Sequence, residues 1–189
     1  METVLTSVSV VALAEIGDKT MLLAIVLATQ FRKPLPIIAG ILVATLANHG
    51  IAAFVGQSIA SILEGEWFRY AVGGSFVAMA LWTLVPDKLE EEEPRQPRFG
   101  AFLATTLAFF VVEIGDKTQI ATIALAARFQ DVLLVTVGTT LGMLLANVPA
   151  VCLGNRLVAL VPLKVVRAIA ALLFLAIGVW VIVETLATA

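Results

Sequence analysis

The hexapeptide EIGDKT occupies residues Glu15 to Thr20 and returns, letter for letter, as Glu113 to Thr118. Each copy sets two acids and a lysine inside a run of residues otherwise suited to lipid. An ionisable side chain at membrane depth costs at least about 2.5 to 3.5 kcal/mol on insertion scales, and it normally faces a cavity or the bundle interior with a partner. Six such groups in two matched sets therefore call for strong compensation.

The sequence around the motifs is that of an integral membrane protein. Of 189 residues, 60% are hydrophobic and 14% charged, and the mean hydropathy is +1.03, outside the mix of a soluble domain. The opening METVLTSV lacks a basic start or cleavage site and is expected to be a retained first span. The single Cys152 excludes an intrachain disulfide or a cysteine metal cluster. Six apolar runs are long enough to cross a bilayer, which takes roughly 20 helical residues: Thr3 to Phe31, Leu35 to Leu63, Trp67 to Val85, Phe99 to Phe129, Val132 to Val161 and Val165 to Leu186. PDKLEEEEPRQPR, from Pro86 to Arg98, is the long polar break and suits a solvated linker.

The duplication extends beyond the motif. At a constant offset of 98 residues, Glu15 matches Glu113, Phe31 matches Phe129, Gly40 matches Gly138, Gly56 matches Gly154, Arg69 matches Arg167, Phe76 matches Phe174 and Trp82 matches Trp180; Asn48 meets Asn147 if one residue is gapped. The expected fold is an all-α membrane protein with six transmembrane helices: a first three-helix repeat over 1–86, an acidic cytoplasmic linker over 87–98 and a second three-helix repeat over 99–189. Three spans being an odd number, the second repeat must enter the membrane in the opposite sense, the inverted-repeat plan of many secondary transporters.

Loop charge orients the chain. The loops after spans one, three and five carry Arg32, Lys33, Lys88, Arg95, Arg98, Arg156, Lys164 and Arg167, against Arg69 and Arg128 on the other face. The linker is thus expected in the cytoplasm and both termini outside the cell (inner) membrane. Trp67, Trp82 and Trp180, near span ends, read as interfacial anchors.

On an unbroken helix Glu15, Asp18 and Lys19 would share one face, with Gly17 opposite. One reading of that patch is a structural ion-pair knot in which each lysine neutralises the glutamate at i−4. The other begins with charge: four carboxylates and two lysines leave the paired motifs at −2 when all are ionised, a balance that a divalent cation completes. Glu15, Asp18, Glu113 and Asp116 are the candidate ligands, with Thr20, Thr118, Gln119, Asn48 and Asn147 as further oxygen donors and Lys19 and Lys117 as charge compensation. Oxygen donors suit calcium, manganese or magnesium; zinc and copper match poorly, since neither motif holds histidine or cysteine. His49 has no counterpart in the second half and is expected to be an isolated polar contact. Gly17 and Gly115 admit either close helix packing or local unwinding.

The repeated E-x-G-D-K-T signature, six spans in two halves and an acidic central loop resemble the GDT family of membrane cation transporters, which includes bacterial manganese exporters and Golgi manganese/calcium transporters. The resemblance covers nearly the whole chain. It implies cation exchange against protons, the carboxylates of both signatures as binding groups, and Mn2+ ahead of Ca2+ as cargo, with no prosthetic group and no nucleic-acid partner. Metal binding requires deprotonated ligands and expels protons, so one site exposed alternately to the two faces gives antiport. A Ca2+/H+ antiporter of the same architecture, an intramembrane lipid phosphatase and a six-span amino-acid exporter are the competing readings. The phosphatase lacks arginines or a nucleophile–base pair at membrane depth, and the amino-acid exporter would need a larger cavity and fewer fixed acids.

Overall fold

The computed structural model describes residues 1–63, 65–85, 99–154, 156 and 162–188. The linker 87–98, with its four glutamates, and the end of the fifth expected span lie outside the described residues. Those described form helices and turns, with no strand among them.

Among the described residues the apolar runs become eight helices rather than six: α1 (Glu2–Glu15), α2 (Lys19–Phe31), α3 (Pro34–Ile62), α4 (Glu66–Thr83), α5 (Ala101–Glu113), α6 (Lys117–Phe129), α7 (Val132–Leu153) and α8 (Leu163–Thr188). By length and composition, α3, α7 and α8 are apolar enough to cross a membrane. The first and fourth runs are the ones that divide, each at its EIGDKT motif. The unbroken face expected for Glu15, Asp18 and Lys19 is therefore not formed. Glycine is the physical reason: Gly17 and Gly115 take φ of +84° and +77°, a conformation that ends a right-handed helix and that other residues rarely adopt. Of the two roles open to these glycines, local unwinding is the one observed.

Packing follows a reciprocal pattern. Helix α3 lies against α5 and α6, α7 against α1 and α2, and α4 against α8. Phe76 and Phe174, equivalent under the 98-residue offset, meet in the α4–α8 interface with ring centroids 6.4 Å apart. Two apolar clusters fill the interior. One joins α1, α3, α4, α6, α7 and α8 around Phe76, Leu125 and Phe174; the other joins α2, α3, α5 and α7 around Met21, Ile37, Ile41 and Phe109. Small residues bring backbones close: a methyl group on Gly56 of α3 would stand 2.2 Å from the Ile123 carbonyl oxygen of α6. Trp67 and Trp180 are more than half exposed and Trp82 is 38% exposed.

Candidate functional site

Each motif is a short extended turn between two half-helices. Ile16 and Asp18 flank Gly17 in extended conformation, as Ile114 and Asp116 flank Gly115, so each aspartate is the N-cap residue of the following half-helix. The turn closes with a hydrogen bond from the Asp18 N–H to the Glu15 carbonyl (2.9 Å) and from the Asp116 N–H to the Glu113 carbonyl (3.1 Å). The following side chain differs: the Gly115 N–H donates to Gln119 Oε1 at 2.7 Å, whereas the Gly17 N–H meets the weakly accepting Met21 Sδ at 3.4 Å. This is the local consequence of Met21 following the first motif where Gln119 follows the second. Gly115→Ala is expected to cost about 1–2 kcal/mol through backbone strain alone, because an added methyl meets nothing within 4 Å. Gly17→Ala should cost more, its methyl lying 2.7 Å from Leu163 Cδ2. Melting temperatures of the two purified variants in detergent check the order.

All four motif carboxylates are buried, from 0 to 3% exposed, and Glu15 lies within electrostatic reach of the other three. The lysines pair across the two motifs. Lys117 Nζ donates to Asp18 Oδ1 at 2.9 Å, and Lys19 Nζ lies 2.8 Å from Asp116 Oδ1. The i−4 ion pair considered for the structural reading is thus replaced by a reciprocal exchange between motifs. Breaking the helix removes the i,i+4 stacking on which the local pair depends and points the start of each second half-helix toward the opposite motif.

The glutamates hold neutral partners. Glu15 Oε1 accepts from the Thr20 hydroxyl and from Asn147 Nδ2 (3.0 Å); Glu113 Oε2 accepts from the Thr118 hydroxyl (2.9 Å). Thr118 also reaches Asp116 Oδ2 at 3.4 Å. Asn48 joins the site through Gln119, whose Nε2 donates to Asn48 Oδ1 at 2.5 Å, while Asn48 Nδ2 donates to the Phe110 carbonyl at 2.8 Å. Asn147 therefore hydrogen-bonds a motif carboxylate, whereas Asn48 reaches the site through Gln119. His49, fully buried on α3, has Nε2 3.6 Å from Glu113 Oε2.

With each aspartate facing a lysine, the −2 of the paired motifs resides on the two glutamates when these are ionised. Glu15 Oε2, Glu113 Oε1 and Asn147 Oδ1 are buried and find no hydrogen-bond donor among the described residues. Buried acceptors left unmatched are costly, and hard oxygens of this kind are what a divalent cation takes as ligands. No group of three or more His, Cys, Asp or Glu side chains among the described residues already converges on one point to hold a metal. The acids surround the site rather than forming a finished cage. Two cavities of about 360 and 470 Å³ lie elsewhere, both lined by Arg128 and the larger also by Glu184, whose Oε2 is 2.5 Å from Arg128 Nη2.

Sequence reasoning named the four carboxylates, both lysines, Thr20, Thr118, Gln119, Asn48 and Asn147 as candidates but missed who faces whom. It also missed the Phe110 carbonyl, a backbone acceptor that no side-chain pattern signals.

Comparison with known proteins gives concordant results. The family model described as "Divalent cation/proton antiporter GDT1" matches residues 3–91 and again 101–189. A Vibrio cholerae protein named "Putative manganese exporter" is 53% identical over 170 residues, covering 89% of this chain and 84% of that protein. The Synechocystis GDT1-like protein sll0615 is 30% identical over 185 residues (87% and 88% covered), and GDT1-like protein 5 of Arabidopsis thaliana is 26% identical over 211 residues (92% of each). No solved structure matches the chain.

Proposed function

The chain belongs to the GDT1 family of divalent cation/proton antiporters, and from that premise we propose that it exports Mn2+ across the cell membrane in exchange for protons. Glu15, Asp18, Glu113 and Asp116 bind the cation between two inverted halves. The family is one of transporters rather than enzymes, which sets the lipid phosphatase reading aside. The double match of the family model and the reciprocal packing of α3 and α7 support repeats over 1–86 and 99–189, and the lysine and arginine bias of the loops supports a cytoplasmic linker at 87–98 with both termini outside the inner membrane.

The observation that carries this reading is the exchanged pairing, Asp18 with Lys117 and Asp116 with Lys19. It ties the halves together while keeping both aspartates as buried carboxylates that an incoming divalent ion can claim. The ammonium groups act as internal counter-ions: they neutralise the two aspartates and are displaced by a cation that binds both. Glu15, which faces a hydroxyl and an amide, and Glu113, which faces a hydroxyl, are the exchangeable charge. Two protons neutralise them or a metal ion does, since ligation requires the deprotonated forms. Thr20, Thr118, Asn147, Asn48 and Gln119 orient these oxygens or join them as ligands. Broken half-helices meeting at mid-membrane are a common place for such a site, and rocking of one repeat against the other exposes it to each face in turn.

Export needs this coupling. Moving two positive charges outward against 100 mV, negative inside, costs about 4.6 kcal/mol at roughly 2.3 per charge. Purified protein in liposomes carrying a pH-sensitive dye inside is therefore expected to move Mn2+ with opposite proton movement, and an imposed pH gradient alone should drive Mn2+ uphill. Mn2+ flux indifferent to the pH gradient would exclude antiport.

A further inference from the structure

We propose that His49 supplies a nitrogen ligand to the transported cation beside Glu113, which makes the cargo a first-row transition ion in preference to calcium or magnesium. The inference rests on reading the motif region as a cation carrier and adds to it the residue that sets ion class.

His49 is 0% exposed on α3, and neither ring nitrogen has a hydrogen-bond partner among the described residues. A buried imidazole carries one donor and one acceptor when neutral, so leaving both unmatched is expensive unless a ligand uses one of them. Nε2 faces Glu113 Oε2 at 3.6 Å, too far for a hydrogen bond. It is, however, the spacing of two ligands of one ion: with metal–ligand bonds of about 2.1 to 2.4 Å, such atoms subtend roughly 95 to 120° at the metal.

Both arms of the pair are held from behind. Thr118 fixes Glu113 Oε2, and Asn48, the residue before His49, is tied to the Phe110 carbonyl and to Gln119. These partners belong to α5 and α6, the two half-helices that flank Glu113. The other half-site differs. With Asn48 aligned to Asn147, Val148 takes the place of His49, and Glu15 meets an amide and a hydroxyl. One half-site thus offers oxygen alone and the other oxygen plus nitrogen. Calcium and magnesium take oxygen ligands, whereas an imidazole nitrogen favours transition ions. The donor pair is incomplete as it stands, and the third ligand arrives when a carboxylate leaves its lysine.

His49 is the single histidine of the chain, so an imidazole signal from bound Mn2+ has one source. The full chain is purified on a histidine-free tag, loaded with Mn2+ and probed by pulsed electron paramagnetic resonance for 14N coupling. Coupling is expected in the wild type and its absence in His49→Gln, together with about a tenfold or greater loss of Mn2+ affinity and less than about a threefold change for Ca2+ at a selectivity site of this kind. Saturable Mn2+ binding that requires Glu15 and Asp116 but shows no nitrogen coupling overturns the role of His49 and leaves the carrier reading intact. Mn2+ binding that is absent, or indifferent to Glu15→Gln and Asp116→Asn, removes the carrier reading and this inference with it.

Discussion

Glu15→Ala and Asp116→Ala are each expected to lower Mn2+ transport by at least about 100-fold, beyond the 10- to 100-fold range typical of residues that merely support ligands, while the protein still inserts in the membrane. The two residues test different parts of one site. Glu15 is fully buried and receives Thr20 and Asn147; its removal deletes half of the exchangeable charge. Asp116 bridges to Lys19 of the first motif, so its removal costs a ligand and also leaves an ammonium group where a cation should sit, adding repulsion to the loss. Glu15→Gln keeps the shape and the ability to accept from Thr20 while removing the charge, and its transport should be lost equally. Flux into proteoliposomes, compared at matched protein incorporation, checks all three. Normal transport by any one removes that residue from the site.

Much of this was legible in the sequence because the chain states it twice. The repeated motif, the 98-residue offset and the apolar runs depend only on residue identity, and they led to an all-helical membrane protein and to Glu15, Asp18, Glu113 and Asp116 as a group. The helix breaks were harder to read. Periodicity assumes an unbroken 3.6-residue turn, and the glycine that breaks it is also common in tightly packed membrane helices; Gly56 and Gly17 look alike in the sequence, yet one lets helices touch and the other turns the chain. The lysine partners were hidden for the same reason. A spacing of four suggests the neighbour along the helix, whereas Lys19 and Lys117 find acids 97 and 99 positions away, a relation that only the meeting of two breaks creates. His49 was visible as an oddity, but its place beside Glu113 depends on how α3 packs against α5 and α6.

Lys117→Met is expected to destabilise the fold by about 3 to 5 kcal/mol, the usual cost of removing one member of a buried ion pair. Lys19→Met should cost far less. The asymmetry comes from exposure: the Lys117 side chain is 4% exposed and its Asp18 partner 1%, whereas Lys19 is 29% exposed, so water screens its pairing with Asp116 and less interaction is lost with it. Replacing both members, as in Asp18→Leu with Lys117→Met, should recover most of the stability, because apolar packing often substitutes for a buried pair without loss. Transport should not recover with it. A pair kept only to fasten the two halves together would be restored in function once stability returned; a pair whose carboxylate must be surrendered to a cation would not. Melting curves and Mn2+ flux measured on the same three proteins separate the two roles, and a stable, fully active double variant would show that Asp18 and Lys117 serve the fold alone.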